Sequence, residues 1–222
     1  MTPTDRFKSA CSKQNVVTTS FDCFGTLVDA QRPDAPAAAV ADALADRGVR
    51  VPDDWPAAYR EPHAEMAEGA ERPLPDHVAD ALASRGVDAD PATVREATVD
   101  AFDRPVQRRE GALAAVEAAR DRGPVAVLSN CSVPGLVERA LAGAGLAGEF
   151  DAVVASVDCG WRKPDGRAFR AVAEALDADP GSLVHVGDDP DADGSVEAVG
   201  GQAILLTETD LREVPDELEG RA

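Results

Sequence analysis

Lysine is nearly absent from this chain of 222 residues: Lys8, Lys13 and Lys163 are the whole complement, and every other basic side chain is arginine. Positive charge is scarce altogether. Lys+Arg total 22 against 41 Asp+Glu, a formal net charge of -19, and the pI is near 4.4. A chain so short of cations lacks the clustered basic surface that nucleic-acid backbones require, so no nucleic-acid partner is expected. Long apolar runs are missing too. None approaches the roughly 18 residues of a membrane helix, and no membrane partner is expected. Cysteine is limited to Cys11, Cys23, Cys131 and Cys159, with no CxxC pair and no short His/Cys ladder, which argues against a zinc site. The first residues, MTPTDRFKSACSKQ, lack the apolar segment of a signal peptide. A cytoplasmic setting with reduced thiols is the expectation.

What is present suffices for a folded protein. At 44% hydrophobic residues the chain is no disordered acidic tail. Its length suits one α/β domain, or a core carrying a smaller insert, burying roughly 70% of the unfolded surface. Acid excess, scarce lysine and abundant alanine together resemble proteins of salt-accumulating halophiles, where a Debye length of about 3 Å near 1 M salt makes self-repulsion tolerable. Ordinary acidity from a GC-rich genome is the alternative.

Along the chain, residues 1–15 read as a flexible tail. Val16 to Phe21 reads as a buried strand that breaks at Asp22. A helix fits from Pro36 to Gly48, with Val40, Ala41 and Leu44 on one face. Residues 49–75 read as irregular, rich in proline. Helices follow near 76–85 and 91–102, and from Gly111 to Arg122. Strand and helix then alternate. Strands fall at Val125–Leu128, Asp151–Ala155, Leu183–Val186 and Ala203–Leu206. Helices fall at Pro134–Ala144, after a capping Asp165, and over 193–199. Such alternation, with continuously apolar strands, predicts a parallel sheet. The fold class is therefore α/β: a Rossmann-like parallel sheet with helices on both faces, plus a small helical cap inserted after the first strand. The core is expected over 16–30 and 104–222 and the cap over 31–103.

Open parallel sheets hold their sites at the carboxyl ends of the strands. Those ends deliver Asp22, Ser129-Asn130 and Asp188-Asp189, and Lys163 lies on the loop after the third strand. Carboxylates, a hydroxyl and a cation thus converge from four places in sequence.

Here the chain resembles the haloacid dehalogenase-like hydrolases. Phe21-Asp22-Cys23-Phe24-Gly25-Thr26-Leu27 is similar to the family's first motif and Leu128-Ser129-Asn130 to its second. Lys163-Pro164 is similar to the third, and Gly187-Asp188-Asp189-Pro190-Asp191-Ala192-Asp193 to the fourth. The resemblance implies that Asp22 is the nucleophile, attacking phosphorus or carbon to give a covalent aspartyl intermediate. It implies a Mg2+ held by hard oxygens: Asp22, the Phe24 backbone carbonyl and Asp188, with Asp193 completing the acidic set or holding Lys163. Ser129 would donate to the transferring group, with Asn130 and Thr26 helping to position it. Lys163 would neutralise developing charge. That the one lysine beyond residue 13 falls where this motif needs one is notable in so lysine-poor a chain.

Two departures keep several activities open. Phosphatases of the family usually carry a second aspartate two residues after the nucleophile, as general acid and base. Phe24 stands there and transfers no proton, a loss typically worth 10²–10⁴-fold. An aromatic followed by Gly-Thr resembles the haloacid dehalogenase branch, whose halide leaving group needs no proton. The fourth motif nevertheless keeps its metal-binding carboxylates, which a metal-free dehalogenase does not use. The family's phosphonate hydrolases need a lysine in the insert, and none lies between Lys13 and Lys163. A Mg2+-dependent phosphohydrolase of a small anionic metabolite leads. A dehalogenase-like hydrolase and a non-catalytic binding module follow.

The cap segment Trp55-Pro56-Ala57-Ala58-Tyr59-Arg60-Glu61-Pro62-His63 concentrates uncommon residues. Arg60 and His63, with Arg72 and His77, either meet the substrate or belong to a packed loop. Cys23, Cys131 and Cys159 adjoin the motifs, as redox-sensitive groups or as ordinary buried thiols. The chain is expected to be a monomer or a homodimer.

Overall fold

The computed structural model describes residues 17–221. The tail expected over 1–15, and Val16 at the start of the first expected strand, lie outside them.

The chain opens with strand β1 (Thr18–Phe21) and then β2 (Val28–Ala30). Four helices follow: α1 (Pro36–Asp46), α2 (Trp55–Ala58), α3 (Leu74–Ala83) and α4 (Pro91–Phe102). Strand β3 (Val106–Arg108) returns the chain to α5 (Ala112–Arg120), β4 (Val125–Ser129), α6 (Leu136–Gly143) and β5 (Ala152–Ala155). Next come α7 (Ser156–Cys159), α8 (Gly166–Ala175), β6 (Leu183–Gly187), β7 (Gln202–Leu205) and α9 (Val214–Glu219).

Five strands form a parallel sheet in the order β5-β4-β1-β6-β7. Strand β1 lies at its centre, with Phe21 in register with Val127 on one side and Val186 on the other. Both faces are covered, as strand alternation requires. Val125 and Val127 of β4 join a core with Val116 of α5, Val137 of α6 and Leu218 of α9. Ala126 and Leu128 join the opposite core with Phe169 and Val172 of α8. Asp165 caps α8, its side chain accepting the Arg167 N–H at 2.9 Å.

Helices α1 to α4 have a core of their own, built on Val40, Leu44, Trp55, Val78, Leu82 and Val94. The Trp55 indole N–H donates to the Ala37 carbonyl at 2.7 Å. The chain leaves the sheet for these helices along β2 and returns along β3. The two pair antiparallel, Val28 with Arg108 and Ala30 with Val106. At three residues each they are too short for hydrophobic periodicity, and their pairing spans the whole helical segment, so no local pattern marks them.

Element ends differ from expectation for local reasons. Helix α3 starts at Leu74 rather than 76 because Pro75 is tolerated in a first turn. Helix α6 starts at Leu136 rather than Pro134 because Gly135 is left-handed. Residues 194–199 form a 3-10 helix.

The Asp165 cap has a testable pH signature. The Arg167 side chain and N–H beside it hold its carboxyl down at about 2. Replacing it, Asp165→Ala, is expected to cost about 1 kcal/mol at neutral pH. A depressed carboxylate contributes above its unfolded value and loses that contribution as pH falls through the folded one. Urea unfolding of the two proteins should therefore converge between about pH 4 and about pH 2.

Candidate active site

The carboxyl ends of the three central strands bring the chemistry together. Asp22 follows β1, Ser129 closes β4 and Asp188 follows β6. Lys163 enters from the loop before α8 and is 3% exposed, beside Asp22 at 8% and Asp193 at 1%. Its ammonium donates to Asp22 Oδ1 at 3.0 Å, to Asp193 Oδ1 at 2.5 Å and to the Leu128 carbonyl at 2.9 Å. All three of its protons are thus used. Burial alone would lower the lysine's pKa, but Asp22 and Asp193 outweigh it and hold the ammonium charged. Burial pushes the Asp22 carboxyl up, against the pull of Lys163. Asp193 resists the same burial and stays well below the usual carboxylate range, held by His185 and Lys163.

A second layer fixes these groups. His185 on β6 is fully buried, its Nε2 lying 3.0 Å from Asp193 Oδ1 and its Nδ1 2.8 Å from the Ser20 hydroxyl. A carboxylate accepts, so Nε2 carries the proton and Nδ1 accepts from Ser20. Burial, with Lys163 nearby, keeps the imidazole neutral. Asp193 Oδ2 accepts the Asp189 N–H at 2.9 Å, so both of its oxygens are engaged. Asp189 itself holds a turn, accepting from Asp191 and Ala192. Two glycines make room. A Cβ at Gly187 would lie 2.1 Å from the Asp193 carboxyl, and one at Gly25 2.5 Å from Asp188 Oδ2; Gly25 also has φ +91°.

Several expected site residues take other places. Thr26 does not line the cleft: it is buried behind Asp188 and donates to its Oδ1 at 2.9 Å. Asn130 lines the cleft but spends its amide on Lys163, accepting the Lys163 N–H and donating to its carbonyl, both at 2.8 Å. Arg60 and His63 do not line the cleft. Helix α2 has four residues, and its C-terminal carbonyls need donors. His63 supplies one to Ala58 and His77 one to Tyr59, each at 2.7 Å, while Arg72 pairs with Asp80. Burial pushes the Cys131 thiol up to about 11 and that of Cys23 higher still, so both are ordinary buried thiols.

The cleft above Asp22 has a volume of about 780 Å³. Sequence reasoning missed Glu71, Arg32 and Arg162 in its wall, and singled out the segment holding Tyr59 without giving that residue a role. Arg162, adjoining Lys163, could have been flagged; nothing in the sequence marks Glu71. Its carboxylate accepts from the Ser156 hydroxyl at 2.9 Å, and its N–H donates to the Gly160 carbonyl at 2.9 Å.

Asp22, Asp188 and Asp193 can each offer one oxygen, all within 4.8 Å of one another. Hard oxygen donors suit a divalent cation. Three carboxylates against one ammonium also leave an excess of negative charge, which a buried site compensates with a cation. With both Asp193 oxygens engaged, Asp22 and Asp188 are the better-placed donors.

A match to the profile of the haloacid dehalogenase-like hydrolases spans residues 18–195, and the chain belongs to that family. It is 41% identical over 75 residues to a phosphoserine phosphatase of Thermus thermophilus, 34% of this chain and 30% of that one. It is 36% identical over 99 residues to the bovine haloacid dehalogenase-like hydrolase domain-containing protein 3, 44% of this chain and 39% of that one. The chain thus spans only 30% to 39% of the length of these relatives. In fold it is similar to a 2-haloacid dehalogenase from Pseudomonas syringae, with a TM-score of 0.67 at 23% identity over 93% of this chain and 100% of that one.

Lys163 should dominate the stability of this site. Lys163→Met leaves two buried carboxylates facing each other, and a loss of about 3–5 kcal/mol is expected in urea denaturation. Adding Asp193→Asn should recover part of it. A double variant no more stable than Lys163→Met would show that the lysine does not act by charge compensation.

Proposed function

We propose that this chain is a Mg2+-dependent phosphohydrolase of a small phosphorylated metabolite, working through an aspartyl-phosphate at Asp22. The observation that carries this reading is the retained acidic set around Asp22. Asp188 is aimed by Thr26 and cradled by Gly25, a placement with no use in metal-free chemistry. Asp22, Asp188 and the Phe24 backbone carbonyl would hold the ion, with Asp193 behind them. Bound there, Mg2+ supplies positive charge that offsets the repulsion between an anionic substrate and a site rich in carboxylates.

The chain's own residues do the rest. Asp22 Oδ1 is fixed by Lys163, which leaves Oδ2 for attack on phosphorus. Lys163, its protons taken by Asp22, Asp193 and the Leu128 carbonyl, acts on the transferring group as a nearby positive charge rather than as a donor, and Ser129, on the cleft wall, donates to it. Asn130 acts indirectly by fixing the Lys163 main chain. The helical layer formed by α1 to α4 serves as a cap, its Tyr59 and Glu71 reaching the cleft and restricting water and substrate. A halophilic cytoplasm fits the charge of -19.

Phe24 favours a second reading. It lines the cleft where a proton-transferring carboxylate would serve an alkoxide leaving group, so a halide leaving group is compatible with it. Phosphate release from a panel of metabolites in high KCl, with and without Mg2+, separates the two. Mg2+-dependent turnover that Asp22→Asn lowers by roughly 10³-fold or more is expected. Halide release from 2-chloropropionate without metal, and no phosphate release, would establish the second reading instead.

A further inference from the structure

Two arginines in the cleft wall are left without a role. Arg32 lies on the segment between β2 and α1, and Arg162 immediately precedes Lys163. Among the described residues neither guanidinium has a carboxylate within salt-bridge distance or a hydrogen bond. Arg85, Arg139 and Arg167 are paired, with Asp54 and Glu61, Asp103 and Asp165 respectively, whereas Arg60, Arg95, Arg104 and Arg170 also lack such partners among the described residues but do not line the cleft. Among the described residues, Arg32 and Arg162 are the unpaired arginines that line the cleft.

The backbone beneath Arg162 is held firmly. Its N–H donates to the Gly69 carbonyl at 3.0 Å and its carbonyl accepts the Asp165 N–H at 2.9 Å. Asn130 clamps the next residue from the other side. The side chain therefore projects from a fixed point on the cleft rim.

The charge balance of the cleft gives the pair a consequence. Its wall carries Asp22, Asp34, Glu71, Asp188, Asp189 and Asp193 against three cations, Arg32, Arg162 and Lys163. Lys163 is consumed by Asp22 and Asp193. Among the lining side chains, a further anionic group entering this cleft would find unspent positive charge only at the two arginines. Their planar forks match the oxygens of a carboxylate or a phosphate. A cleft of about 780 Å³ has room for a small substrate with both a reacting and a remote anionic group.

We infer that Arg32 and Arg162 form a second anion site, so that the preferred substrates are phosphate esters bearing a further anionic group. This rests on the phosphohydrolase reading and deepens it by naming the substrate class. Arg162, with its fixed backbone, orients the remote group. Arg32, on the segment leading into the helical layer, supplies the second guanidinium of the cleft wall.

Matched pairs test this at fixed ionic strength. The ratio of kcat/KM for 3-phosphoglycerate over glycerol 3-phosphate isolates a carboxylate. The ratio for fructose 1,6-bisphosphate over fructose 6-phosphate isolates a second phosphate. At least one ratio should exceed about tenfold and fall towards one in Arg162→Ala or Arg32→Ala. Arg95→Ala removes the same charge from the exposed face of α4 and should leave the ratio as it is. Ratios near one in the unaltered protein, ratios kept in both cleft variants, or an equal fall in Arg95→Ala would each overturn the proposal. If no phosphate ester turns over, the phosphohydrolase reading fails by itself, and equilibrium binding of the same pairs decides the anion site. Tighter binding of the doubly anionic member that Arg162→Ala abolishes supports it; equal binding overturns it.

Discussion

A single ammonium group holds this site together. Lys163 Nζ lies between a carboxylate at the end of the central strand and another from the loop after β6, and it also donates to a main-chain carbonyl of β4. It thus ties together three adjacent strands of the sheet at the edge where their side chains meet. Two buried carboxylates this close would repel strongly at low effective dielectric. With the ammonium between them the same atoms attract, and further contacts serve to keep the ammonium there. Asn130 grips the main chain on both sides of its carbonyl and amide, His185 holds Asp193 in place, and Ser20 holds His185.

That constraint explains why lysine survives at position 163 in a chain whose other basic residues beyond residue 13 are all arginine. A guanidinium is planar and larger, and its five donors suit a fork of acceptors in one plane. The acceptors here come from three directions around a point, the arrangement an ammonium satisfies. On the surface, where forks face carboxylates, arginine prevails: Arg47 with Asp100, Arg120 with Glu149, Arg212 with Asp210. Two basic residue types are thus divided by geometry as much as by composition.

The sheet and the carboxylates at its edge were legible in the sequence because continuous apolar strands ending in Asp22, Ser129 and Asp188 are local signals. The roles of polar residues were less so. Thr26 and Asn130 stand in the right motifs, yet one backs Asp188 and the other clamps Lys163, which depends on side-chain directions that spacing does not encode. His185 was passed over because a lone histidine within an apolar strand carries no pattern. At His63 both substrate contact and a packed loop were open readings. An unusual concentration of histidine and arginine suggested substrate contact, whereas the short helix α2 needs donors for its terminal carbonyls. Glu71 reaches the cleft through a backbone pairing between residues 69–71 and 160–162, a contact between segments about ninety residues apart that local reading does not reveal.

The ribbon of β2 and β3 has a bearing on ancestry. Ala30 and Val106 are cross-strand partners, so the chain enters and leaves the helical layer at nearly the same point. Antiparallel strands ending side by side are the geometry that a two-residue turn closes. The covalent path of the sheet is therefore indifferent to what is inserted there, whether a turn or four helices. Lineages sharing this catalytic edge could exchange the whole layer above it as a cassette, and with it the wall that meets the substrate, without disturbing a strand of the sheet.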